Sequence, residues 1–361
     1  TQRYGCKSYI IYNNMYLPMG YQGMVNDYWY LKKGVTLWDV GAERQVEITG
    51  PDAFKFLQNL TPRNLTNFDI GQCKYVTLTN PDGGILNDPV ALRLAKNHFW
   101  LSIADRDIWL WAKGLAQGLQ MQVTIQEPDA SPLAIQGPLS FNVVADLFGN
   151  WVREMPYFRF RETEIEGIPI VLARTGWSKQ GGYELYLRDG KKGDRLWELV
   201  MEAGKPYDIQ PGTPSYIERV ESGLLNYWQD ITDQTNPFEV GLGKLVSLKQ
   251  EVDYVGKEAL KKIKSDGIKR KLVGIYIHSK PLSQNAQPWA IECNGEHVGE
   301  ITSAIYSPDL DKNIGFAMVD IQCGKPGTKL AIKIDKEKVD ATVTSYPFID
   351  NSEKVWAGVI R

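Results

Sequence analysis

The stretch RTGWSKQGGYELYL, Arg174 to Leu187, combines a glycine-bearing turn, an indole and a strand that carries one isolated carboxylate. The run IPIVLAR before it and YELYL within it have the short, β-branched and aromatic composition of strands. Between them Gly176, Gly181 and Gly182 permit the positive backbone angles that a connecting turn demands. Side chains alternate along a strand, so Glu184 and Tyr186 share one face while Tyr183, Leu185 and Leu187 share the other. A carboxylate and a phenol are therefore expected to look into the same space. A lone strand Glu is more often a solvated residue, and the strand by itself leaves that alternative open.

The surrounding motif changes the balance. This stretch resembles the RTGYTGEDGFEL pattern of the folate-dependent aminomethyltransferase family, whose type member is the glycine-cleavage T-protein. In that family the acid at the Glu184 position holds the pterin. The chemistry is sound, because a pterin presents a 2-amino group and a ring N–H as two parallel donors for two carboxylate oxygens. VTLWDVGAERQVEITGPDAFKFLQNLTPRNL (Val35 to Leu65), Tyr75 with NPDGGILNDPVAL, NPFEVGLGK from Asn236, VGKEAL from Val255 and GEITSAIYSP from Gly299 are similar to further family signatures, in the same order. The resemblance spans about residues 35 to 310.

Departures from the pattern point to one branch. Trp177 stands where the T-protein has Tyr, Asn87 and Asp88 where it has two acids, and Ser215 where it has Arg. WDVGAERQV, GGILNDPVALRL, GWSKQGGYE and IERVESGLL look instead like the branch that moves a methyl group from dimethylsulfoniopropionate to tetrahydrofolate. The resemblance implies an α+β fold of two intertwined α/β subdomains (1–245) followed by a C-terminal β-barrel domain (246–361), arranged as a ring. Tetrahydrofolate is then the co-substrate, with no metal, flavin or nicotinamide.

Residue roles follow from the same likeness. Glu184 is expected to hold the folate, with Tyr75, Phe158 and Ser102 lining it, and plain core roles remain open for Tyr75 and Phe158. Asp88 matches the family's functional aspartate and is expected to stabilise or accept charge at the pterin N5. Asn87 in place of its acidic neighbour is expected to lower the negative charge of the pocket. A sulfonium cannot donate a hydrogen bond, so aromatic faces must recognise it, at about 0.5–2 kcal/mol each. Trp177, Tyr186 and Tyr12 are the candidates, against plain roles as turn anchor, core and packing residue. Lys179 or Arg174 is the candidate donor for the substrate carboxylate.

Composition excludes other classes. At 361 residues with 43% apolar and 23% charged residues, the chain has the make-up of a globular protein large enough for two or three cores. A net charge of −2 gives no electrostatic reason to bind nucleic acid, and the basic Lys261–Lys271 region reads as a solvated face. Cys6, Cys73, Cys293 and Cys323 are irregularly spaced, and His98, His278 and His297 lack ligand partners at metal spacing, so reduced thiols in a cytoplasm and no metal are expected. No signal peptide or membrane-spanning run appears, although the first residue is not Met. No GxGxxG opens a βαβ unit, which argues against fused flavin dehydrogenases that carry the same module. A homodimer is entertained; membrane and nucleic-acid partners are not.

Local patterns complete the expectation. Ala53, Phe56, Leu57 and Leu60 mark a helix opened by Pro51 and Asp52; a second is expected to be capped by Thr213, with Ile217, Val220 and Leu224 buried. ILNDPVALRLA reads as one strand with Asp88 near its centre, and five β patterns follow Leu272. Three functions are weighed: a sulfonium demethylase, an aminomethyltransferase with a lipoyl-protein partner, and a non-catalytic folate-binding protein. Betaine or dimethylglycine remains open as methyl donor.

Overall fold

A computed structural model describes residues 1–334 and 337–352. Two antiparallel-based sheets form the N-terminal part. One has the strand order Thr124–Gln126, Gln45–Thr49, His98–Ser102, Val90–Ala95, Cys73–Tyr75; the other runs Phe160–Ile165, Ile168–Ala173, Gly182–Leu187, Ser131–Gln136, Thr36–Asp39, Gln210–Gly212. The chain starts the second sheet with Thr36–Asp39, leaves to build the whole first sheet, and returns at Ser131. That exchange makes the subdomains intertwined.

Alternation assigns each sheet two apolar faces. Outward, Ile48, Phe99 and Leu101 of the first sheet pack on the helices Ala53–Leu60 and Trp109–Gly118, and Leu133, Leu172 and Leu185 of the second pack on Ser140–Phe148 and Gly193–Gly204. Ala53, Phe56, Leu57 and Leu60 are all fully buried, each large one contributing about 1.5–3 kcal/mol. Inward, Cys73, Leu92 and Trp100 of the first sheet meet Val171, Ala173 and Tyr186 of the second. Glu184 pairs across the ladder with Ala173 and Ala134, which puts it on this inner face.

Ahead of the sheets, Ser8–Tyr12 and Met15–Gly20 form a hairpin. Its two-residue turn, Asn13–Asn14, has both residues left-handed (φ 48° and 61°), a conformation asparagine tolerates. Beyond residue 269 the chain closes into a six-stranded barrel, Arg270–Ile277, Lys312–Asp320, Glu296–Ser307, Trp289–Cys293, Lys329–Ile334 and Glu337–Thr344 in spatial order. Five of these coincide with the expected β patterns. Trp289–Cys293 is the addition, legible only through its partners because WAIEC is short and follows a proline-containing loop. The helix Lys257–Asp266, just ahead of the barrel, packs Leu260 and Ile263 toward Gly83 of the first subdomain.

Two local expectations are corrected. Thr213 does not cap the second helix: Ser215 does, accepting from the Glu218 N–H at 3.3 Å, while the Thr213 hydroxyl donates to the Pro18 carbonyl at 2.7 Å. The helix ends at Glu221, so Ile217 and Val220 are buried on it but Leu224 lies beyond and is half-buried. ILNDPVALRLA is not one strand. Ile85–Asn87 pairs with Leu78–Thr79 and Val90–Ala95 joins the first sheet, with Asp88 at the break, where Pro89 has no N–H to continue a ladder.

Candidate functional site

The turn after Ile168–Ala173 is held by Gln136. Its amide donates toward the carbonyls of Thr175 and Tyr183 (3.3 and 3.4 Å) and accepts from Ser178 Oγ at 2.7 Å. A Cβ at Gly176 or Gly182 would lie 2.1 or 2.4 Å from that amide nitrogen, so only glycine allows the packing. The turn thereby delivers Thr175 and Glu184 to the same point. The Thr175 hydroxyl and the Tyr186 hydroxyl (3.1 Å) both donate to Glu184 Oε2.

Glu184 is buried, and burial pushes its carboxyl pKa up despite those two donors. A second carboxylate adjoins it. Glu43, on the Val40–Arg44 loop, is driven well above the usual carboxylate range by burial and by the charge of Glu184. Tyr12, at the hairpin tip, is half-buried, and desolvation together with the charges of Glu43, Asp88 and Asp105 raises its phenol pKa. The tip is anchored there by Asn13, whose N–H donates to Asp105 Oδ1 at 2.7 Å and whose amide donates to the Ala42 carbonyl at 3.2 Å.

Asp88 forms the other arm. Tyr75 donates to its Oδ2 at 2.9 Å, while its Oδ1 is enclosed without a hydrogen-bond partner. Burial raises the Asp88 pKa to about 7, against the lowering effect of Tyr75. Such a carboxyl can exchange a proton near neutral pH. Phe158 adopts a left-handed backbone (φ 62°) where its N–H meets the Arg174 carbonyl and its carbonyl accepts from Cys73, which joins the two sheets beside the Tyr157 ring, 4.7 Å from its own. Ser102 accepts from Gln45 Nε2 at 3.0 Å and lies beside the Tyr186 hydroxyl.

Thus the structure brings Tyr12, Tyr75, Asp88, Ser102, Glu184 and Tyr186 toward one region, with Phe158 on the seam between the sheets. Trp177 sits half-buried on the turn itself. Tyr186 is 1% exposed, its ring packed near Trp100, so it presents its hydroxyl to Glu184 rather than a ring face to a cation. Lys179 lies elsewhere: its N–H meets Glu218, and Glu218, Lys244 and Asp350 surround its ammonium, whose pKa burial lowers.

Two readings are corrected. Arg174 is not available to a substrate carboxylate, being 1% exposed with its guanidinium over Phe141 and bonded to the Met155 carbonyl at 2.7 Å. Asn87 does not tune the charge of the pocket. Its side chain faces away from Asp88, clamping the 104–106 loop through Ala104 N–H, Ala104 O and Arg106 O. Glu43 and Asp105 had escaped the sequence reading, because a loop acid has no periodic signal; the Asn-Asn turn after SYIIY could have located the hairpin that covers them.

No group of three or more His, Cys, Asp or Glu among the described residues could hold a metal, and no described helix is long and apolar enough to cross a membrane. Comparison with known proteins matches residues 2–250 to the GCVT N-terminal domain and 270–350 to the glycine cleavage T-protein C-terminal barrel domain. The dimethylsulfoniopropionate demethylase DmdA of Ruegeria pomeroyi is 41% identical over 330 residues, covering 91% of this chain and 90% of that protein. An aminomethyltransferase of Bacillus subtilis is 31% identical over 355 residues, 96% of each chain. The solved glycine cleavage system aminomethyltransferase T from Bartonella henselae superimposes with a TM-score of 0.85 at 23% identity, covering 96% of this chain and 95% of that one. With both of its domains matched and relatives along nearly its whole length, the chain belongs to the glycine-cleavage T-protein family of folate-dependent transferases.

Proposed function

We propose that this enzyme demethylates dimethylsulfoniopropionate, giving methylthiopropionate and 5-methyltetrahydrofolate by direct in-line transfer to N5. The observation that carries the reading is the gathering of acids at the hairpin tip: Asn13 is held by Asp105 at 2.7 Å, Tyr12 beside it faces Glu43, Asp88 and Asp105, and Glu184 adjoins Glu43. A permanent cation complements such a site. The likeness to a demethylase at 41% identity supports the same choice of substrate.

Tetrahydrofolate supplies the N5 lone pair that attacks the methyl carbon. Glu184 fits the pterin donors, held in place by Thr175 and Tyr186. Trp177 and Tyr12 are the aromatic surfaces proposed for the sulfonium. As the N5–carbon bond forms, the carbon–sulfur bond breaks with its electron pair left on sulfur, so the leaving group is a neutral thioether. The N5 proton passes to Asp88, whose unpartnered Oδ1 and pKa of about 7 suit a proton acceptor near neutrality. The sulfonium brings its own leaving group, so alignment is the main task, and can contribute on the order of 7–11 kcal/mol.

The test is anaerobic incubation with tetrahydrofolate and dimethylsulfoniopropionate, following both products by mass spectrometry, with dimethylglycine as the competing donor. Equal amounts of the two products are expected from the sulfonium and neither from dimethylglycine. Formation of 5,10-methylenetetrahydrofolate from an aminomethylated lipoyl protein, without sulfonium turnover, would move the assignment to aminomethyl transfer; folate binding with neither reaction would leave a non-catalytic binding protein.

A further inference from the structure

One row of side chains crosses the inner face of the first sheet. In register over four neighbouring strands stand Gln45, Ser102, Val90 and Tyr75. Two residues along, Trp100 and Leu92 belong to the apolar cluster on that same face. Ser102 and Tyr75 are residues that the family resemblance sets against the folate. Gln45 is the next member of their row and has no task yet.

Gln45 is 1% exposed, and its partners fix the direction of its amide. Nε2 donates to the Glu43 carbonyl at 2.6 Å, which can only accept, and to Ser102 Oγ at 3.0 Å, so both of its hydrogens are used. Oε1 lies on the other side of the amide, buried, and among the described residues no donor meets it. At the opposite end of the row Tyr75 donates to Asp88 Oδ2 at 2.9 Å, while Asp88 Oδ1 is a second enclosed acceptor without a donor. The strand of Gln45 and the strand that Asp88 precedes are two spacings apart, about 10 Å. A buried acceptor is costly until a donor reaches it. Two of them at opposite ends of a row that faces the folate call for a flat ligand with a donor on each of two opposite edges.

The reduced ring of tetrahydrofolate is such a ligand, because N5 and N8 stand at opposite positions of that ring and each carries a hydrogen. Resting on the folate reading and on Asp88 as the partner of N5, we infer that Gln45 is a further folate-binding residue whose Oε1 accepts from the pterin N8–H. The ring then lies along the row over Val90 and Ser102. Its pyrimidine end is left to Glu184, whose donor Tyr186 lies beside Ser102. The contact fixes which way round the ring sits, since a reversed ring takes N5 away from its proton acceptor. It also reads the reduction state: a fully oxidised pterin has no hydrogen on N8 and leaves Oε1 unpaired.

Anaerobic calorimetry with tetrahydrofolate and with 8-deazatetrahydrofolate, in which a CH2 replaces N8–H, tests it on wild type, Gln45→Met and Gln45→Lys, with thermal melting to show that each variant is folded. Gln45→Met removes the whole amide. Gln45→Lys keeps a donor for the Glu43 carbonyl and Ser102 but has no oxygen. Wild type is expected to bind tetrahydrofolate roughly 10- to 100-fold more tightly than the analogue, and each variant to bind the two ligands within about threefold of each other. Equal affinity for both ligands in wild type overturns the inference whatever the variants do. Undiminished discrimination in either folded variant overturns it too, and reduces Gln45 to an anchor of the Glu43 carbonyl. A wild type that binds neither ligand sinks the folate reading itself. No methyl donor enters the measurement, so failure of sulfonium turnover is a separate result.

Discussion

Two buried polar regions sit within the same chain and are treated in opposite ways. Where the barrel meets the N-terminal part, two buried ion-pair sets form: Arg219 pairs with Asp230 at 2.7 Å, and Lys32 with Glu221 at 3.0 Å and Asp309 at 2.5 Å. The carboxylates of Asp230 and Glu221 take further donors. Asp230 accepts from Thr302 (2.6 Å) and Ser303 (2.7 Å), and Glu221 from Tyr28 (2.8 Å) and Ser307 (2.5 Å), which fastens the helix Tyr216–Glu221 to the barrel strand Glu296–Ser307. Around Tyr12 the ionisable groups are acids, and Asp88 Oδ1 is left without a partner. Paired charges fasten the junction, and acids without a basic partner are why the cluster is proposed as the ligand site.

The contrast is most severely tested by removing one charge from each region. Asp230→Asn leaves Arg219 buried without its counter-ion and should destabilise the protein by about 3–5 kcal/mol, read as a lower urea midpoint. Loss of under ~1 kcal/mol would mean that the junction is not held by its ion pairs. Asp88→Asn should act on turnover instead. It should lower kcat/KM by about 10²- to 10³-fold, on the order of 3–4 kcal/mol, and abolish the fall in wild-type rate as the pH drops through about 7.

The same substitution carries the smallest expected effect, and its sign is the opposite of that at the junction. Asp88 has a folded-state pKa of about 7, above its ordinary value of 3.8, so the folded state holds its proton more tightly. Its contribution to stability is full below the ordinary value and is lost as pH rises through about 7. Asp88→Asn removes that loss and should raise the denaturation midpoint at about pH 8, on the order of 1–3 kcal/mol, with the gap closing toward about pH 4. A variant less stable than wild type at both pH values would show that Asp88 is a structural residue.

Much of the frame was legible because it rests on local periodicity. The strand–turn–strand from Ile168 to Leu187, the opposite faces of Glu184 and Tyr183, the helix that buries Phe56 and Leu57, and five barrel strands are all consequences of neighbours in sequence. The resemblance added the intertwined subdomains, which no period encodes. What escaped was set by contacts between distant segments. Arg174 reads as an exposed strand-end cation until Phe141 and the Met155 carbonyl enclose it, and Asn87 and Asp88 look alike until Pro89 breaks the strand and turns one to the 104–106 loop and the other to Tyr75.

By itself, then, the sequence determined most of the elements, the faces they bury, and that an acid at 184 follows a glycine-bearing turn; that Gln136 admits only glycine at 176 and 182 is a tertiary contact. It could not determine the charge environment of that acid. Glu43 and Glu184 are far apart along the chain, and become neighbours only when the Val40–Arg44 loop, the strand Gly182–Leu187 and the tip of the Ser8–Gly20 hairpin enclose one space. Burial and mutual repulsion are properties of that enclosure, and they hold the carboxyl of an ordinary loop glutamate above its usual range.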